Sequence, residues 1–82
     1  MLNDLLRLID RTLALQGRGL ELTEESMLMG VLPELDSIGV VSLIGAMEDY
    51  FGITVDDDEI DAHTFASVGS LQAFVNEKLG TA

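Results

Sequence analysis

The spacing of apolar residues is the feature that most restricts what this chain can fold into. In its middle segment the apolar residues recur at i, i+3, i+4, i+7 and i+11, namely Val40, Leu43, Ile44, Met47 and Phe51. That spacing places them on one face of an α-helix. We predict a helix with Ser37 as its N-cap, running to Phe51 and ending before Gly52. No segment shows the alternation of a half-buried strand, so the sequence predicts an all-α fold.

Two further segments have helical spacing. The first carries Leu2, Leu5, Leu6, Ile9 and Leu13, and we expect Asn3 or Asp4 to cap the start of its helix and Gly17 to end it. The last is predicted to be capped by Ser67, with Lys78 in its last turn and Gly80 after it. Its apolar face consists of Val68, Leu71, Phe74, Val75 and Leu79.

The remaining segments predict a long loop and one short helix. The loop, from about Gly17 to Asp36, holds apolar residues that should pack on the core: Leu20, Leu22, Leu28, Met29, Val31 and Leu32. The acids of ITVDDDEID favour a short third helix from about Asp58 to His63. We therefore expect a four-helix bundle with three principal helices, one short third helix and a long loop between helices 1 and 2, forming a single domain over residues 1–82.

Composition narrows the function. The chain has 82 residues, no cysteine, and 15 acidic against 4 basic residues. Such a small domain has little room for a deep catalytic pocket, and its negative charge disfavours nucleic acids and anionic membranes as partners. The N-terminal segment is apolar but interrupted by charges, and it lacks the continuous apolar run of a signal peptide. We expect a cytoplasmic monomer without membrane insertion that attracts partners with basic patches.

The segment ELDSIGVV holds the main candidate site. Ile38 and Val41 lie off the core face of their helix, on the side that also carries Glu48 and Asp49. An exposed apolar stripe with acids beside it indicates a surface for a partner, although both residues would also fit beneath the long loop. Ser37 would stand at a helix N-terminus, which accommodates phosphate well.

Other chemistries fit the sequence poorly. A serine nucleophile needs a base and an orienting acid, but the single histidine, His63, lies in another segment and no G-x-S-x-G motif is present. An EF-hand starting at Asp56 would need glycine at its sixth position and glutamate at its twelfth, where this chain has Asp61 and Ser67. We therefore expect no catalytic residues and no EF-hand, while looser divalent-ion binding by the acidic run stays open.

The segment LDSIGVVSLIGAMEDYFGI resembles the second helix of acyl carrier proteins. The family motif Asp-Ser-Leu reads Asp36-Ser37-Ile38 here, and Glu48 and Asp49 match its acidic end. The order of helices and the long first loop extend the resemblance over essentially the whole chain. The resemblance implies that Ser37 carries 4′-phosphopantetheine, derived from coenzyme A and attached by a separate phosphopantetheinyl transferase using Mg²⁺. It also implies that the chain is not an enzyme itself.

The resemblance further implies what the arm and the surface do. The thiol of the arm would hold acyl groups as thioesters and deliver them to an acyl ligase, acyltransferase or synthase. Asp36 would help the transferase bind, and the docking surface would consist of Asp36, Ile38, Val41, Glu48 and Asp49. An aminoacyl or peptidyl carrier would use the same serine. An unmodified acidic helical adaptor for a basic partner is the alternative from another class.

Three positions depart from the family pattern. Many fatty-acid carriers have acids where this chain has Gly39 and Ser42, and a bulky apolar residue where it has Gly45. These differences favour a specialised bacterial carrier in lipid metabolism that serves its own loading enzyme, over one that serves general fatty acid biosynthesis. The sequence does not specify the cargo.

Overall fold

Three α-helices form the body of the protein. The computed structural model describes residues 2–80, and its α-helices in chain order are α1 Leu2–Thr12, α2 Ser37–Phe51 and α3 Val68–Leu79. Two 3₁₀ turns, Arg18–Glu21 and Asp57–Glu59, lie in the connections. Residues 2–80 contain no strand, only an isolated bridge between Met27 and Ser67. The all-α class and the three principal helices are confirmed, and none of these helices is long and apolar enough to cross a membrane.

The predicted short third helix from Asp58 to His63 is wrong. In its place the chain forms the 3₁₀ turn Asp57–Glu59 and an irregular segment. Side chains in this region bind backbone groups: Glu59 Oε1 accepts the Asp56 N–H at 3.0 Å, and Asp61 Oδ1 accepts the Thr64 N–H at 2.8 Å. Aspartate favours such local turns over a helix interior. The sequence also supplies no apolar face there that packing could use to hold a helix together.

Helix α1 is shorter than predicted. It starts at Leu2, so Asn3 and Asp4 lie inside its first turn rather than capping it, and it ends at Thr12 rather than at Gly17. The helix ends early because Ala14 takes a left-handed conformation at φ 55° and the Leu15 N–H binds the Asp10 carbonyl oxygen at 2.9 Å. Asp10 Oδ1 also accepts the N–H groups of Gly17 and Gly19, each at 2.9 Å. These bonds fold the chain back against α1.

Helix α2 has the predicted bounds and the predicted buried face. Val40, Leu43, Ile44 and Met47 are buried, Phe51 is partly buried, and Gly52 ends the helix in the left-handed conformation at φ 68°. Helix α3 has the predicted Ser67 cap, whose Oγ accepts the Ser70 N–H at 3.1 Å, and Gly80 follows its last residue as predicted. Its outer residues are less buried than predicted: Phe74 is half-buried and Leu79 is exposed.

The long loop packs on the core only in part. Leu28 and Leu35 are buried, Leu22, Met29 and Leu32 are partly buried, and Leu20 and Val31 are exposed. The loop is held by backbone hydrogen bonds to the chain around the start of α3, including Leu28 N–H to Ala66 O at 2.8 Å. An ion pair between Arg18 and Glu34 joins its two ends. These hydrogen bonds and this ion pair fix the path of the loop up to the start of α2.

Candidate functional site

The N-terminus of α2 is capped by Asp36 and not by Ser37. Asp36 Oδ1 accepts the Gly39 N–H at 2.8 Å, while Ser37 is the first residue of the helix. The prediction that Ser37 is the N-cap is therefore wrong by one residue. Aspartate and serine are both good N-caps, and the sequence offered both in succession. The consequence for the site is that the Ser37 hydroxyl is not used as a cap.

Ser37 is exposed and borders a largely apolar groove of about 380 Å³. The groove lies between the start of α2, the long loop and the segment before α3, and is lined by Met29, Ser37, Val40, Val41, Ile60, Asp61, Ala62 and Phe65. The exposed hydroxyl thus stands at the edge of an apolar surface depression.

The predicted surface of α2 is exposed at its apolar end. Ile38 is 76% exposed and Val41 is 70% exposed, so neither packs beneath the loop. Asp49 is also exposed, but Glu48 is half-buried and its Oε2 accepts the Val55 N–H at 2.9 Å. Glu48 therefore stabilises the chain after α2, a structural contact that the sequence did not reveal.

Asp61 is the acidic residue among those that line the groove. Its Oδ1 accepts both the N–H of Thr64 at 2.8 Å and the Oγ1–H of Thr64 at 3.0 Å. These hydrogen bonds, the backbone one above all, lower the pKa of Asp61 below its ordinary value. Asp61 is accordingly a carboxylate at neutral pH.

The structure does not bring His63 to the groove at Ser37. His63 is exposed and borders a second, more polar depression with Phe74 and Glu77. Among the side chains that the structure describes, no three of His, Cys, Asp or Glu are grouped so that they could hold a metal ion. Within the acidic run, Glu59 instead forms an ion pair with Lys78, and this contact lowers the pKa of Glu59.

Sequence reasoning missed the far wall of the groove. Ile60, Ala62 and Phe65 lie in a segment without helical or strand periodicity, so no pattern assigned them to a site. Phe65 is 1% exposed, the most buried aromatic side chain of residues 2–80. A large apolar residue in an otherwise polar connection was the available signal, because such a residue is seldom left in solvent.

Comparisons with known proteins agree with this geometry. A model of the phosphopantetheine attachment site matches residues 34–75, which span all of α2 and most of α3. This chain is similar to a holo acyl carrier protein from Nitrosomonas europaea whose solution NMR structure is known. The two sequences are 47% identical, the two structures have a TM-score of 0.89, and the match covers 96% of this chain and 95% of that one. The comparison with curated proteins gave no match. This chain belongs to the acyl carrier proteins of the phosphopantetheine attachment-site family, whose covalently attached cofactor is 4′-phosphopantetheine.

Proposed function

We propose that this chain is a discrete acyl carrier, one domain over residues 1–82, in which Ser37 holds 4′-phosphopantetheine. The observation that carries the proposal is the position of Ser37. Its hydroxyl is exposed, it opens α2 directly after the Asp36 cap, and it borders the apolar groove. The match to the attachment-site family includes this residue.

The residues around Ser37 suit a phosphate-bearing arm. The first N–H groups of a helix have no intrahelical acceptor, and Asp36 occupies only that of Gly39. Phosphate oxygens on Ser37 would lie beside the positive end of α2. The apolar groove offers a surface on which the arm can rest. Repulsion from the Asp36 carboxylate is weakened by solvent, because that residue is exposed.

Attachment uses one bond exchange at Ser37. The Oγ forms a bond to the phosphorus of coenzyme A that carries the pantetheine, the phosphoanhydride bond breaks, and adenosine 3′,5′-bisphosphate leaves. The Oγ proton passes to a general base in the active site of the phosphopantetheinyl transferase. When bound, the cofactor supplies a thiol that holds acyl groups as thioesters. The chain then presents them to acyl ligases, acyltransferases or synthases at high effective concentration.

Intact mass measurement tests this function. The folded chain, incubated with coenzyme A, Mg²⁺ and a broad-specificity transferase, should gain the mass of one phosphopantetheine group. A folded chain that gains nothing would favour an unmodified acidic adaptor. Cargo recovered from the arm of the natively produced protein would separate an acyl carrier from an aminoacyl or peptidyl carrier.

Asp36 combines a cap and a charge, and two substitutions separate them. Asp36→Asn should leave the free energy of unfolding nearly unchanged, because asparagine caps as well as aspartate, whereas Asp36→Ala should lower it by about 1 kcal/mol. Both variants should be modified about tenfold more slowly, because each lacks the charge offered to the transferase and its metal. Wild-type modification of Asp36→Asn would show that Asp36 acts only as a cap. Urea unfolding and transferase kinetics provide the two measurements.

The acidic end of α2 is proposed to steer partners. The double variant Glu48→Gln/Asp49→Asn removes two charges, and glutamine keeps an acceptor for the Val55 N–H. We expect kcat/KM with the transferase to fall roughly tenfold at low salt and less at high salt. The matched control, Glu24→Gln/Glu25→Gln, removes two exposed charges from the long loop. Equal losses in both double variants would assign the effect to net charge and not to this surface.

We also propose that the chain serves a specialised pathway, but the structure leaves fewer residues in support of it. Gly39 is no longer among them, because packing explains the glycine: a Cβ there would lie 2.4 Å from the Glu34 carbonyl oxygen. Ser42 and Gly45 remain, since both are exposed and uncharged on the outer side of α2. They support a partner set that differs from enzymes selecting an acidic, bulky helix.

A further inference from the structure

Gly45 has no structural reason to be glycine. It is exposed in the middle of α2, its φ is not positive, and a Cβ added there would meet no atom within 4 Å. Glycine in a helix interior lowers stability relative to alanine. The buried Gly39 of the same helix differs, because the backbone of Glu34 fills the space of its side chain. No packing contact within residues 2–80 therefore requires a glycine at position 45.

The neighbours of Gly45 describe what approaches it. It lies one heptad after Ile38, which places the two nearly in line along the helix, and Val41 and Asp49 lie one turn before and after it. Ile38 and Val41 are largely exposed apolar side chains, and Asp49 is an exposed acid. No basic residue occurs between Arg18 and Lys78. The surface thus offers two exposed apolar side chains, a position without a side chain and a negative charge, which complement a basic element carrying a bulky apolar side chain.

The distance between Gly45 and Ser37 indicates which partner covers position 45. Gly45 lies about 12 Å along the helix axis from Ser37, at 1.5 Å per residue. An ordinary protein interface covers about 800 Å² on each side, a patch roughly 30 Å across. The transferase has to reach the Ser37 Oγ itself, whereas enzymes that act on cargo need reach only the far end of the arm. A transferase seated on Ser37 therefore covers Gly45.

We infer that Gly45 is a specificity-determining residue for the phosphopantetheinyl transferase of the organism that makes this chain. The missing side chain lets a bulky apolar residue of that enzyme approach the α2 backbone, next to a lysine or arginine that meets Asp49. This inference rests on the proposed attachment at Ser37, and it adds the residue that selects the enzyme.

The test enlarges position 45 in steps. Modification of Gly45→Ala and Gly45→Leu by coenzyme A and the organism's own transferase should be slower about threefold and at least about tenfold, because each added group displaces the incoming side chain. The loss should appear in KM and leave kcat nearly unchanged. The melting temperature of Gly45→Ala should be equal to or above that of the wild type, so a slower reaction cannot reflect unfolding.

The control enlarges an exposed helical position elsewhere, with Ala73→Leu on α3 expected to react like the wild type. Wild-type kcat/KM for a folded Gly45→Leu would overturn the inference while leaving attachment at Ser37 intact. An equal loss in Ala73→Leu would also overturn it. A wild-type chain that gains no mass at all would instead refute the proposed function.

Discussion

The Ser37→Ala variant should accept no 4′-phosphopantetheine, while Ser42→Ala should still gain one 4′-phosphopantetheine group. Alanine has no hydroxyl, so the phosphodiester cannot form. Three of the five serines, Ser26, Ser67 and Ser70, are half-buried and hydrogen-bonded. Ser37 and Ser42 are both exposed on α2. Ser42 therefore controls for an exposed serine on the same helix that lacks the position at the helix start.

The loss in Ser37→Ala should be chemical and not structural. Because Asp36 is the cap, removing the Ser37 hydroxyl should cost much less than the roughly 1 kcal/mol of a lost N-cap. Intact mass after incubation with coenzyme A and the transferase measures attachment, and urea unfolding followed by circular dichroism measures stability. A mass gain in Ser37→Ala, or one that disappears in a folded Ser42→Ala, would place the attachment elsewhere.

Local sequence patterns predicted the two helices whose bounds depend only on residues close to them in the sequence. The apolar stripe and Gly52 gave the bounds of α2, and the Ser67 cap with Gly80 gave those of α3. Each of these signals acts within a few residues, so neighbours in sequence suffice to read it. The exposed Ile38 followed from the same periodicity, because a helix buries only one face.

The errors arose where side chains replace backbone partners or where distant segments meet. Asp10 holds the chain that follows α1 by binding Gly17 and Gly19, and Asp61 binds Thr64 where a short helix was expected. Periodicity carries no information about such bonds. The groove likewise depends on Phe65 and Ile60 reaching α2 from a segment more than eight residues beyond its end. Only the three-dimensional path of the chain brings them together.

Gly39 is another residue whose role depends on a contact that the sequence does not show. We expect Gly39→Ala to lower the free energy of unfolding. The added Cβ would lie 2.4 Å from the Glu34 carbonyl oxygen and 3.2 Å from Leu13 Cδ2. The carbonyl cannot move away cheaply, because Glu34 is paired with Arg18 and the next residue, Leu35, is buried. Overpacking of this kind costs about 1–3 kcal/mol, and the better helix propensity of alanine returns at most about 1 kcal/mol.

The same substitution at Gly45 should have the opposite sign, because its Cβ would point into open space. Gly45→Ala should raise the free energy of unfolding by up to about 1 kcal/mol, while Gly39→Ala should lower it by up to about 2 kcal/mol net. Urea unfolding of both variants measures the pair in one host helix.

The shifted Glu34 backbone should also disturb the Asp36 cap, whose Oδ1 lies 3.4 Å from the added Cβ. Gly39→Ala should therefore be modified more slowly at Ser37 even where it is fully folded. A Gly39→Ala variant as stable as Gly45→Ala would mean that the loop does not press against α2, and that Gly39 belongs with Gly45 among the residues facing a partner.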